Sequence, residues 1–196
     1  MLTKFKKSFK VIISPFGDFL IKLGLTPNFI TFLSLIISIL ILLILFLSNN
    51  NSSVVYLVIL LIGLTAYLDA VDGYVARKTK TVSAFGAFLD STFDRISDSI
   101  YIYTLYHLGI ASIDLTIILL VSSILISYTR ARAETLNVKM AGVGIIERSE
   151  RIILIIIILL LSLFNIFYSR IILYILIILA IITVAQRIFH VYKTLR

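Results

Sequence analysis

The chain has 196 residues, 60% of them hydrophobic and only 14% charged. A soluble domain carries about a quarter charged residues, so this much apolar surface does not fit inside one small core and lipid must solvate much of it. Cysteine is absent and histidine occurs only as His107 and His190, which excludes a disulfide framework and a thiolate metal site and leaves little basis for a histidine zinc centre. The formal charge of +8 would suit a nucleic-acid binder, but the placement of the cations decides that question.

In residues 3–24, Lys4, Lys6, Lys7, Lys10 and Lys22 interleave with Phe5, Phe9, Val11, Ile12, Phe16, Phe19 and Leu20. This is the pattern of an amphipathic helix lying on a membrane surface, with a break expected at Pro15. A secretory signal peptide is not expected, because the apolar stretch and small-residue cleavage site are missing. Thr26-Pro27-Asn28 then reads as a helix start.

Six apolar runs follow, each near the 20 residues that a spanning helix needs. They are Phe29 to Leu47, Val54 to about Ala76, Ala84 to Leu108, Ile113 to about Glu134, Arg151 to Phe167, and Arg170 to Val191. The expected fold is all-α and integral to the membrane. Residues 1–26 form an amphipathic juxtamembrane segment and 27–196 a single domain of six transmembrane helices. With six spans both termini share a side, and every Lys and Arg except Arg95 and Arg170 falls there. Cations collect in cytoplasmic loops, so the expected location is the cytoplasmic membrane with both termini inside. The cations then face anionic headgroups, and the basic charge needs no nucleic acid. Tyr101, Tyr103 and Tyr106 are expected in an interfacial belt at the outer ends, with Tyr56 and Tyr168.

Five of the ten acidic residues lie in the second and third runs: Asp69, Asp72, Asp90, Asp94 and Asp98. A carboxylate at a helix centre costs roughly 2.5–3.5 kcal/mol on insertion scales, so these must face an interior cavity. Asp69 and Asp72 share one helical face, as do Asp90 and Asp94. A turn of about seven residues between antiparallel helices would bring the two faces together. Carboxylates that close repel unless a divalent cation joins them, and hard oxygen ligands suit Mg²⁺ or Mn²⁺. Spacing alone is equally compatible with a cation-coupled transporter. Gly73, Gly86 and Arg77 tilt the balance towards a metal-bridged nucleotide diphosphate, since glycine admits close backbone approach and arginine pairs with phosphate.

The string Asp69-x-x-Asp72-Gly73-x-x-Ala76-Arg77, eight residues, then Gly86-x-x-x-Asp90-x-x-x-Asp94 resembles the signature of the CDP-alcohol phosphotransferase family at every fixed position. The resemblance implies that Asp69, Asp72, Asp90 and Asp94 ligate Mg²⁺ or Mn²⁺, as two ions. Asp94 would also serve as general base, and Gly73, Arg77, Ser83 and Gly86 would hold the CDP-lipid. It also implies a homodimer. The stretch Arg130-Ala131-Arg132-Ala133-Glu134 and the segment Gly142 to Arg151 are similar to phosphatidylinositol-phosphate and archaetidylinositol-phosphate synthases. The acceptor implied is L-myo-inositol 1-phosphate, its phosphate held by Arg130 or Arg132, Arg148 and Arg187, with CDP-diacylglycerol or CDP-archaeol as donor. Glycerol 3-phosphate is the alternative acceptor. Positive-inside charge alone also accounts for arginines here, and Arg148 and Arg151 alternating with Glu147 and Glu150 would suit a salt-bridge ladder at a helix start. Arg130 and Glu134 are spaced to pair. Asp98 lies outside the signature and is expected to partner Arg95 or a cation on another helix. His107 and His190 are expected to pack or sit at the interface.

Overall fold

The computed structural model describes residues 6–48 and 53–196. Lys4 and Phe5, part of the amphipathic reading, lie outside them. Among the described residues the chain is all helix: α1 (Lys6–Lys22), α2 (Pro27–Leu47), α3 (Ser53–Thr79), α4 (Ala84–His107), α5 (Ile113–Thr135), α6 (Arg148–Ser162) and α7 (Ile166–Leu195).

Most helix starts are written locally. Thr26 caps α2 by accepting from the Phe29 amide, with Pro27 in the first turn where its missing N–H is not needed. Ser83 caps α4 through the Gly86 amide at 3.0 Å, Ser112 caps α5, and Asn165 caps α7. Helix α6 begins with a capping box, in which the Glu150 carboxylate accepts from the Glu147 amide at 3.2 Å.

Four helices, α2, α3, α5 and α7, are long and apolar enough to cross a membrane, so the chain is a multi-pass membrane protein. The other two expected spans differ for physical reasons. Helix α4 carries Asp90, Asp94, Arg95 and Asp98, which dilute its apolar character. Helix α6 has 15 residues, about 22 Å of rise, less than a hydrocarbon core of about 30 Å.

Helix α2 packs on α3 and α4, α7 on α5 and α6, and α3 and α4 meet α6 across the middle. The main core joins Ile41, Ile62, Leu105, Leu119, Ile158 and Leu176. A smaller cluster of Leu20, Ile30, Leu68, Val71 and Val75 seats α1 against α3.

Three local expectations are corrected. Helix α1 is unbroken at Pro15. It is braced along α3, where Tyr67 donates to the Ile12 carbonyl and Tyr74 to Asp18 at 2.8 Å, and the first of these lies in the turn that Pro15 loosens. The connection from α3 to α4 is four residues, 80–83, because α3 runs on to Thr79 and closes on Lys80 at φ +58°. The Thr81 amide then bonds back to the Ala76 carbonyl at 3.1 Å, the six-to-one bond of a Schellman end. Tyr101 is not at an interface. It is buried, and its hydroxyl lies 2.5 Å from Thr65 Oγ1 and 3.1 Å from Ser38 Oγ.

Candidate active site

The short α3–α4 connection holds the aspartate faces together. Carboxylate oxygens of Asp69, Asp90 and Asp94 all lie within 4.8 Å of one another. Asp72 sits deeper, and its Oδ2 accepts from Thr31 Oγ1 on α2 at 2.6 Å. Three anions this close repel strongly without a cation among them. Separate carboxylate oxygens are the donor set that Mg²⁺ and Mn²⁺ favour, so the residues fit a divalent ion.

A guanidinium from another helix also reaches this cluster. Arg148, at the start of α6, donates Nη1 to Asp69 Oδ1 at 2.9 Å, and the same nitrogen forms an ion pair with Asp94 Oδ1, also at 2.9 Å. Its Nε donates to Asp98 Oδ1 at 3.1 Å. Arg151, one turn on, donates Nη2 to Asp98 Oδ2 at 2.8 Å. Asp98 therefore partners α6, while Arg95 bonds Asp94 at 3.2 Å. The alternative, a ladder with Glu147 and Glu150, does not form among the described residues; both arginines turn inward to aspartates instead.

Beside the cluster opens a cavity of 390 Å³ lined by Asn28, Thr31, Asp72, Gly73, Arg77, Ser83, Gly86 and Asp90, among others. All four residues expected to hold the CDP-lipid are there. The volume lies within the ordinary range for small-ligand sites, about 300–1,000 Å³. Gly86 is closely approached: a Cβ would stand 2.9 Å from Asn28 Oδ1 and 3.0 Å from Ser83 Oγ, so one of these side chains would have to shift.

The remaining expected arginines are placed less alike. Arg130 pairs with Glu134 at 2.9 Å on the exposed end of α5, and Arg132 lies beside it, exposed. Arg187 is buried on α7, its guanidinium donating to the Val143 and Ile126 carbonyls. It thereby holds the α5–α6 connection in place. Gly144 allows that connection to pass, since it has φ +114° and its Cβ would be 2.5 Å from Thr183 Cγ2.

The family model for CDP-alcohol phosphatidyltransferases matches residues 24–185. The chain belongs to that family. It is an enzyme of phospholipid synthesis, and the transporter reading gives way. The archaetidylinositol phosphate synthase of Pyrococcus horikoshii is 39% identical over 79% of this chain and 79% of its own length. The phosphatidylinositol phosphate synthase of Corynebacterium glutamicum is 33% identical over 93% of this chain and 85% of its own. The crystal structure of Mycobacterium tuberculosis phosphatidylinositol phosphate synthase with CDP-DAG bound superimposes with a TM-score of 0.79, at 29% identity, over 92% of this chain and 94% of that one. The same enzyme in complex with manganese and citrate gives 0.78 at 30% identity, covering 92% and 88%.

Asn28, Thr31, Thr81 and Val82 also line the cavity of this family member and escaped the sequence reading. A signal for Thr31 was present. Thr31, Ser34 and Ser38 recur at three- and four-residue spacing, which puts a polar stripe on one face of an otherwise apolar helix. The stripe meets Asp72, the Thr65 carbonyl, Ser97 and Tyr101.

Proposed function

We propose that the enzyme transfers a phosphatidyl or archaetidyl group from a CDP-activated lipid to L-myo-inositol 1-phosphate, releasing CMP, at the cytoplasmic face of the cell membrane. The observation that carries the acceptor is Arg148, a guanidinium reaching in between Asp69 and Asp94 beside the nucleotide cavity. A phosphorylated acceptor needs a cation next to the reacting carboxylates, and a neutral alcohol does not. The named relatives among inositol-phosphate-lipid synthases support the same acceptor.

In this reading Gly73, Arg77, Ser83 and Gly86 seat the cytidine diphosphate. Arg148, with Arg130, Arg132 and Arg187 grouped on the same side of the fold, attracts and orients the acceptor phosphate. Asp94 takes the proton from the acceptor hydroxyl as that oxygen bonds to the β-phosphorus. The bond from that phosphorus to the oxygen bridging it to the α-phosphate breaks, and CMP leaves with the bridging oxygen. Mg²⁺ or Mn²⁺ bound by Asp69, Asp72, Asp90 and Asp94, as two ions, would neutralise charge on the diphosphate. The lipid tails remain in the bilayer, and the enzyme works as a homodimer with both termini inside.

The test is CMP release by purified protein in detergent with CDP-lipid and Mg²⁺ or Mn²⁺. Inositol 1-phosphate, glycerol 3-phosphate, free inositol and serine are offered in turn, with Asp94→Asn alongside. Turnover with inositol 1-phosphate, reduced about 10²–10⁴-fold in Asp94→Asn, is the expected result. Turnover only with glycerol 3-phosphate would move the acceptor, and turnover only with serine or free inositol would sink the role given to Arg148.

A further inference from the structure

Asp98 lies outside the signature, yet both arginines of α6 converge on it. Its Oδ1 accepts from Arg148 Nε and its Oδ2 from Arg151 Nη2. The side chains of Asp98 and Arg151 are only 11% and 4% exposed. A buried ion pair is weak evidence for stability, because apolar residues of similar volume often serve as well or better. Its retention here calls for another reason.

The donors of Arg148 supply one. A guanidinium has five N–H groups in a planar fork. Nε donates to Asp98, and Nη1 donates to Asp69 and forms an ion pair with Asp94. Nη2 has no partner among the described residues, and the side chain is 22% exposed. Among the described residues, the Nε bond is the one hydrogen bond of Arg148 to a residue outside the signature, and together with the Nη1 bond it fixes the plane of the fork and with it the direction of Nη2.

From this geometry we propose that Asp98, itself clamped by Arg151, is a positioning residue that aims Arg148 Nη2 at the phosphate of the acceptor. The proposal rests on the acceptor carrying a phosphate. Arg148 supplies the contact, Asp98 sets its orientation, and Arg151 holds the Asp98 carboxylate in register from the next turn of α6. Selectivity for a phosphorylated alcohol then depends on a residue that touches neither the alcohol nor the nucleotide.

The test uses full-length protein in detergent or nanodiscs and compares Asp98→Asn, Asp98→Glu and Arg151→Lys with the parent. Four readouts are taken: acceptor KM, CDP-lipid KM, kcat, and Mn²⁺ binding by electron paramagnetic resonance. Asp98→Asn is expected to raise the acceptor KM about tenfold or more, leaving the CDP-lipid KM and Mn²⁺ affinity within about twofold. Asp98→Glu, which keeps the charge, is expected to recover part of the loss, and Arg151→Lys to lie between the parent and Asp98→Asn. An unchanged acceptor KM in folded Asp98→Asn overturns the proposal, as does an equal loss of CDP-lipid and Mn²⁺ binding, which would mark a structural role. Where Asp98→Asn does not fold, Arg151→Lys decides on the same two criteria. The parent enzyme separates this from the acceptor assignment. If glycerol 3-phosphate proves to be the acceptor, the same KM effect is expected with it, whereas a parent that uses only unphosphorylated alcohols removes the basis for both.

Discussion

At the scale of single residues, two contacts give sharp expectations. Gly86 has Asn28 Oδ1 and Ser83 Oγ where its Cβ would be. Both atoms belong to residues lining the cavity, and Ser83 also caps α4. Gly86→Ala therefore pushes side chains into the nucleotide space. The CDP-lipid KM should rise about tenfold, with the loss of the cap adding about 1 kcal/mol of destabilisation. A KM unchanged in steady-state assays would show that the two side chains swing clear. Asp18 makes a different case. Hydrogen bonds from Lys78 at 2.6 Å and from Tyr74 hold its carboxyl below the ordinary aspartate value. A folded pKa lowered in this way adds stability that is present above the unfolded value, about 3.9, and lost as pH falls through the folded one. The pair is exposed, so the effect is small and screened by salt. Melting curves of the parent and Asp18→Asn should differ most in low salt above about pH 4, and the difference should shrink as the pH falls below that and as salt is added.

At the scale of elements, what the sequence shows depends on how local the cause is. Helix existence is local: Thr26-Pro27 announces α2, and the clustered aspartates announce a cavity between α3 and α4, whereas Asn165, which caps α7, falls inside a run that reads as one apolar segment up to Phe167. The end of α3 is not announced, because its left-handed closing residue is Lys80 rather than a glycine. The burial of Tyr101 depends on hydroxyls from α2 and α3 that no single segment carries. The inward turn of Arg148 and Arg151 is likewise invisible, since each faces acids 50 or more positions away while glutamates stand beside them in the chain. Gly144 belongs to this scale as well. Its φ of +114° and its approach to Thr183 set the connection on which Arg187 closes. Gly144→Ala should destabilise by about 1–3 kcal/mol through backbone strain alone, with a further steric part. Adding Thr183→Ser removes the obstructing methyl but keeps a hydroxyl for the Ile146 amide. Thermal unfolding should thus show partial rescue in the double variant, and full rescue would mean that the backbone is not strained.

At the scale of the whole molecule, charge organises the fold. The far end carries Arg170, and its guanidinium donates to the Gly109 and Ile110 carbonyls, tying the α4–α5 turn to α7. The other end gathers anions from α3 and α4 against cations from α6, so three helices from different parts of the chain meet at one electrostatic knot. A divalent ion bound there would join α3 to α4. An ion held by Asp69, Asp90 and Asp94, as proposed, would find no such cluster in the separated helices and would stabilise by mass action, about 2.7 kcal/mol at a concentration one hundred times Kd. Mn²⁺ should therefore raise the apparent melting temperature in a concentration-dependent way, and a chelator should reverse it without substrate present. Asp69→Asn with Asp90→Asn should abolish that response. The same double variant should melt no lower than the parent in chelator, because removing two of three crowded carboxylates relieves repulsion as well as removing ligands. A variant that melts much lower without metal would mean that the pairing of Asp69 with Arg148, rather than metal binding, is what these carboxylates contribute to the fold.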